Sequence, residues 1–190
     1  MFRRLAAAAL CLAFAGAALA DARQDLHSAY LKMLTLKSYK ATMVNMGSNK
    51  TFSVVEFQAP DRLRMTMEGR MTTIVVGDTM YMTVNGRSMV MPMPKGTLSK
   101  YRNEDTLREI EKGAVVSSEG PGMVGSQPAR KYRFKTVLSG HPAESLVWVG
   151  VASGLVLQVE TSSTQGSKAA HMRIVYSDFN NPTIRVSKPN

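Results

Sequence analysis

From Ser38 onward the chain alternates apolar and polar residues with a period of two, broken at intervals by turn-forming pairs. Leu63-Arg64-Met65-Thr66-Met67-Glu68, Arg130-Lys131-Tyr132-Arg133-Phe134-Lys135 and Leu155-Val156-Leu157-Gln158-Val159-Glu160 show it most cleanly. Successive strand side chains point to opposite faces, so this pattern predicts antiparallel sheet with one dry face and one wet face. Asn85-Gly86 is the strongest hairpin signal, because both residues tolerate the positive φ of a type I′ turn. Gly77-Asp78, Gly69-Arg70, Ser153-Gly154 and Gln165-Gly166 are weaker turns of the same kind. About ten strands follow, near 39–46, 51–59, 62–68, 71–76, 79–84, 87–91, 128–137, 143–150, 154–162 and 169–178, with a short last run at 183–187 as a candidate eleventh.

Two segments keep helical rather than strand spacing. Leu26, Tyr30, Met33 and Leu34 recur on one side of a helix, with Arg23, Asp25, Lys32 and Lys37 between them. The polar stretch 95–113 holds Leu98, Tyr101, Leu107 and Ile110 and ends in Glu111-Lys112-Gly113, which predicts a helix over 98–112 with a glycine cap. The Gly- and Ser-rich stretch 117–127 around Pro121 is expected to be a mobile loop. Neither break divides the chain, since neither half could bury its own sheet face. The expected fold is α+β: a strongly curved antiparallel sheet, a half-open β-barrel of about 10–11 strands, with helices covering its concave apolar face. An open sheet of that many strands must curl.

The N-terminus is a three-part export signal. Arg3 and Arg4 precede an uncharged run from Leu5 to Leu19, which closes on Ala18-Leu19-Ala20. That run is shorter than the roughly 20 residues that cross a bilayer as a helix. Cleavage after Ala20 is expected, leaving residues 21–190 as a single periplasmic domain. A lipoprotein signal needs a small residue before its cysteine, and Leu10 precedes Cys11, so lipidation is not expected. Cys11 is the sole cysteine; once it leaves with the signal, disulfides, zinc-thiolate sites and a thiol nucleophile are excluded. The formal charge of +10 falls to +8 with the loss of Arg3 and Arg4. Outside the cytoplasm that charge suits an anionic membrane surface or an envelope partner protein rather than nucleic acid.

The sequence carries fourteen methionines, and eight of them lie between Met65 and Met93. Met65 and Met67 share a strand face, as do Met80 and Met82, and Met89, Met91 and Met93. Methionine is unbranched and polarizable and re-packs around ligands of variable shape, which suits the wall of a ligand cavity. Ordinary core packing is the bland alternative. Cu(I) is the sharper one, because thioethers are soft ligands; however, His27, His141 and His171 fall in separate elements and reinforce no sulfur cluster. No metal or other cofactor is expected. Nor is an enzyme: no Ser, His or Asp stands in a nucleophile-elbow or triad context. Glu68, Glu104, Asp105, Glu109 and Glu111 fit solvated faces, and Asp78, Asp178 and Asn180 fit turns.

Several short motifs occur in a suggestive order. Pro60-Asp61-Arg62-Leu63-Arg64 follows an early strand, and Val76-Gly77-Asp78-Thr79-Met80-Tyr81 precedes the hairpin at Val84-Asn85-Gly86-Arg87. Trp148-Val149 stands before Ser153-Gly154-Leu155-Val156, and Tyr176-Ser177-Asp178-Phe179-Asn180 comes near the end. This succession resembles the LolA/LolB-like superfamily of bacterial envelope proteins, which includes lipoprotein-localisation carriers and mycobacterial lipid-binding lipoproteins. The chain departs from it in lacking a lipobox cysteine and in having Gly150 where many relatives have Asp. The resemblance implies a half-open barrel that holds acyl chains under helical lids. A periplasmic carrier or binding protein for a lipid or an acylated protein is the function expected. The alternative keeps the fold and makes it an envelope sensor or regulatory module that binds a signalling protein. On the carrier reading Met65, Met67, Met80, Met82, Met89, Met91, Tyr132, Phe134, Leu155 and Leu157 would contact the acyl chain. Arg62, Arg64, Arg70 and Arg87 would meet a head-group phosphate at the rim, and the helix at 98–112 or the 117–127 stretch would move as a lid.

Overall fold

A computed structural model describes residues 21–189 except 69–70, 95–97, 99–101, 103, 139–140 and 166–167. The export signal and Arg70 lie outside the described residues. The first element is helix α1 (21–34), which turns Ala22, Leu26, Ala29, Tyr30 and Met33 inward. Six strands follow: β1 (Ser38–Asn45), β2 (Lys50–Gln58), β3 (Arg62–Met67), β4 (Met71–Val76), β5 (Thr79–Val84) and β6 (Arg87–Pro92). Helix α2 (Glu104–Glu111) leads into β7 (Val115–Val124), β8 (Gln127–Leu138), β9 (His141–Gly150), β10 (Val156–Gln165) and β11 (Lys168–Ser177).

All eleven strands form one sheet in the order β6-β5-β4-β3-β2-β1-β11-β10-β9-β8-β7. Every pairing is antiparallel. Each half is thus a meander, and the halves join where β1 pairs with β11. Strands β6 and β7 are the two free edges, so the sheet is curved and open, as the alternation and the resemblance implied. Asn85 (φ 49°) and Gly86 (φ 78°) turn the β5–β6 hairpin with two left-handed residues, the type I′ geometry read from the sequence.

The core lies between the helices and the concave face. Leu26, Tyr30 and Met33 of α1 and Leu107 and Ile110 of α2 join Phe57, Leu63, Val75, Tyr132, Phe134 and Val147 in one buried cluster. Tyr39 stacks on Phe57 with ring centres 5.1 Å apart and meets Tyr176 edge-on at 5.8 Å. Full burial of each such side chain contributes about 1.5–3 kcal/mol. Arg102 fixes the approach to α2: its guanidinium lies 5.4 Å from the centre of the Phe57 ring and donates to the Leu34 carbonyl at 2.9 Å.

Two expectations need correction. The stretch 117–127 is not a loop: it forms most of β7, hydrogen-bonded to β8. A register shift between Ser118 and Pro121, with Gly120 at φ 81°, absorbs the glycine-proline sequence. An edge strand tolerates this, because a proline there withholds only a donor that has no partner strand. The eleventh strand is therefore β7, and 183–187 is not a strand. That tail instead crosses the convex face, where the Val186 amide donates to Gln58 Oε1 at 2.7 Å and Ile184 and Val186 are buried. Of the helix expected over 98–112, the described residues are helical at Leu98, whose carbonyl accepts from the Arg102 amide at 2.9 Å, and from Glu104 to Glu111, and Gly113 (φ 96°) closes it.

Candidate functional site: the methionine-lined concave face

The register sorts the side chains of the N-terminal half into cross-strand rows on the concave face. The first row runs Tyr39, Phe57, Leu63, Val75, Met80 and Met91 from β1 to β6. The second runs Ala41, Val55, Met65, Thr73, Met82 and Met89. The third runs Met43, Ser53, Met67, Met71, Val84 and Arg87. Side chains directly opposite lie about 4.5–5.5 Å apart at Cβ, so Met67–Met71, Met80–Met91 and Met82–Met89 are facing pairs.

Burial is greatest from β1 to β4 of the first row and lowest at the β6 edge. Phe57, Leu63 and Val75 are 1%, 0% and 1% exposed, Met65, Met67, Met71, Met80, Met82 and Met91 are partly buried, and Met89 is 50% exposed. The face is thus packed most tightly on its β1 side, and the methionines carry it outward to the β6 edge. At that edge Val84, Asn85, Arg87, Ser88 and Met89 border an open hollow of about 960 Å³.

The structure brings all six methionines named from the sequence onto this one surface. It adds Met43 and Met71, which strand parity could have supplied once the pairing was known. Tyr132, Phe134 and Leu155 belong to the same cluster but are filled core, each under 9% exposed. The Tyr132 hydroxyl donates to Asp25 on α1 at 2.7 Å, and Arg130 pairs with the same carboxylate at 2.9 Å. Burial first, and then that hydrogen bond, push the Tyr132 phenol up to about 12. Burial likewise drives the Tyr30 and Tyr39 phenols upward, so this core holds only neutral tyrosines at ordinary pH.

Leu157 does not join the concave cluster. A register shift between Val156 and Gln158 turns it aside, and it packs over Gly150, where an added Cβ would meet it at 3.0 Å. The tight fit at Gly150 explains why no larger residue stands there. Of the four arginines, Arg62 and Arg64 lie on the opposite, convex face. Arg62 donates to the Val186 carbonyl at 3.0 Å, and Arg64 donates to Glu56 at 2.9 Å and the Arg185 carbonyl at 3.2 Å. They hold the C-terminal tail and do not form a rim to the hollow. Arg87 is exposed on the methionine side, at the end of the third row.

Charge is segregated in the same way. Arg133 bridges Glu119 (2.8 Å) and Glu144 on the outer face, and Arg173 meets Glu160 there at 2.8 Å. The hydrogen bond from Arg133 holds the Glu119 carboxyl below the usual range. Inside, polar side chains are few. Ser145 bonds Thr161 at 2.9 Å, and Ser53, 2% exposed, has a hydroxyl with no hydrogen-bond partner. Among the described residues no group of three or more His, Cys, Asp or Glu could hold a metal ion. Nor is any described helix long and apolar enough to cross a membrane.

Comparison with solved structures gives the same architecture. The Mycobacterium tuberculosis lipoprotein LppX superposes with a TM-score of 0.65 at 13% identity, over 88% of this chain and 98% of that one. LprF from Mycobacterium bovis superposes with a TM-score of 0.61 at 12% identity, over 90% of this chain and 96% of that one. No protein family's sequence profile matches the chain, and no curated protein matches it. The half-barrel is the fold of these two lipoproteins. At these identities the likeness concerns fold, and the chemistry must be argued from the concave face itself.

Proposed function

We propose that this protein is an exported, periplasmic, non-enzymatic binding protein that takes up a lipid or lipoprotein acyl chain on its methionine-lined concave face and carries it through the envelope. One observation supports this above the rest: cross-strand rows of methionine continue the apolar face from the buried core to the open β6 edge. A face meant only as core would end where its cover ends, because exposed apolar area gains nothing from folding. Methionine is the side chain best able to line such a face, as its three rotors let it close over itself when empty and re-pack around a chain. Each methylene transferred there from water contributes about 0.8 kcal/mol. An acyl segment of about ten methylenes therefore gains enough to offset the freedom lost on binding, about 4 kcal/mol or more.

An anionic head group would meet Arg87 in water, at the open end of the third row. The protein purified from the envelope fraction tests the proposal when it is extracted with organic solvent and the extract is analysed by mass spectrometry. A co-purifying acyl lipid, absent from a parallel preparation of an unrelated exported protein, is expected. An empty extract, together with failure to retain a fluorescent fatty-acid probe, would refute the proposal.

A further inference from the structure

Resting on that reading, the orphan hydroxyl of Ser53 identifies the polar end of the ligand: we infer that Ser53 donates a hydrogen bond to the neutral carbonyl oxygen of an acyl ester bound among Met43, Met67 and Met71. Ser53 sits in the middle of the third row, between Met43 of β1 and Met67 of β3, facing the concave side. It is 2% exposed, and its Oγ alone among buried side-chain polar atoms of the described residues lacks a partner. Other buried serines are satisfied, Ser38 by the Asn181 carbonyl at 2.9 Å and Ser145 by Thr161 at 2.9 Å. Buried polar groups are nearly always hydrogen-bonded, so a donor left open on the apolar face proposed to hold the ligand is a place for the ligand's own acceptor.

The chemistry of that acceptor follows from the surroundings. On the row through Ser53 the neighbours to either side are Met43 and Ile174, and Met67 and Met71, none of them charged. Arg87 stands four strands away, roughly 19 Å at about 4.8 Å per strand. A carboxylate or phosphate at Ser53 would be buried with no counter-charge, which is strongly unfavourable. A neutral carbonyl accepts one hydrogen bond there and needs nothing more. The acyl chain would then run outward from Ser53 over Met67 and Met71, with Met43 and Met67 turning aside to admit the carbonyl.

The test compares methyl palmitate with hexadecyl methyl ether, which has the same chain but no carbonyl oxygen, by displacement of a fluorescent fatty-acid probe. Wild-type protein and Ser53→Ala are measured side by side, together with their thermal midpoints. A single neutral hydrogen bond corresponds to a roughly 2- to 12-fold preference for the ester. That preference is expected in wild type and lost in Ser53→Ala, while the variant binds the ether as wild type does and unfolds at the same temperature or higher. Equal wild-type affinity for ester and ether overturns the Ser53 assignment and leaves acyl-chain binding standing. So does a preference that survives in Ser53→Ala, which would leave the hydroxyl a partner for buried water. If neither compound displaces the probe, or the probe never binds, both the assignment and the lipid reading fall.

Discussion

Replacing Met80 and Met82 with glutamine separates a ligand wall from a packed core. Both residues are partly buried on β5, opposite Met91 and Met89 of the edge strand. Glutamine keeps the length of methionine, and its amide can turn toward the open β6 side. Each change should therefore cost the empty protein about 1 kcal/mol of burial, or about 3 °C in midpoint for a domain of this size. Leu63 is the control, one strand further from the edge than Val75 and 0% exposed. An amide at that position is stranded away from water at a cost of about 2–7 kcal/mol, so Leu63→Gln should lower the midpoint by about 6 °C or more. Binding should move the other way. An acyl chain over Met80 or Met82 would seal the new amide from solvent without a partner, at about 1–3 kcal/mol, which weakens affinity about tenfold for each variant. The assays are thermal unfolding followed by circular dichroism and retention of a fluorescent fatty-acid probe. Methionine variants that unfold as early as Leu63→Gln, or that hold the probe as wild type does, would refute the cavity assignment.

Arg62→Gln should loosen the C-terminal tail and lower the midpoint without weakening an anionic lipid probe, whereas Arg87→Gln should weaken that probe and leave the midpoint unchanged; parallel melts and titrations check both. Because Arg133 lowers the Glu119 pKa in the folded state, the stabilisation by Glu119 should be complete above the ordinary glutamate value of about 4.3 and vanish as pH falls through the lowered one. Wild type should accordingly melt above Glu119→Gln at neutral pH, with the gap closing in acid. Titration of the reduced protein with Cu(I) against a competing chelator should show no tight stoichiometric site; one lost on replacing Met80 and Met82 would establish the copper reading instead. Intact mass of the envelope-fraction protein should correspond to a chain beginning at Asp21, and a retained leader or an added acyl group would contradict cleavage after Ala20.

Much of this architecture is legible in the chain itself, because the signals concerned are local. Period-two alternation sets which side chains share a face, and Asn85-Gly86 sets a tight hairpin, so the methionines of β3, β5 and β6 had to fall on one surface. The same alternation already opposed Arg62 and Arg64 to Leu63 and Met65 on their own strand; assigning those arginines to the rim set it aside. Other features depend on contacts between residues far apart in sequence. Pro121 and Gly120 read as loop until β8 is present to pair with them, and the bulge that turns Leu157 onto Gly150 exists only against β9. The role of Arg62 and Arg64 awaits a tail more than 120 residues away, at Val186 and Arg185. Ser53 is a plain strand serine in the sequence. Only its own burial, with methionine on both sides and no partner in reach, makes its hydroxyl an unsatisfied donor. Local pattern determines the faces of a strand, since sterics act between near neighbours; which polar group on a face is left without a partner is decided by packing across the whole sheet.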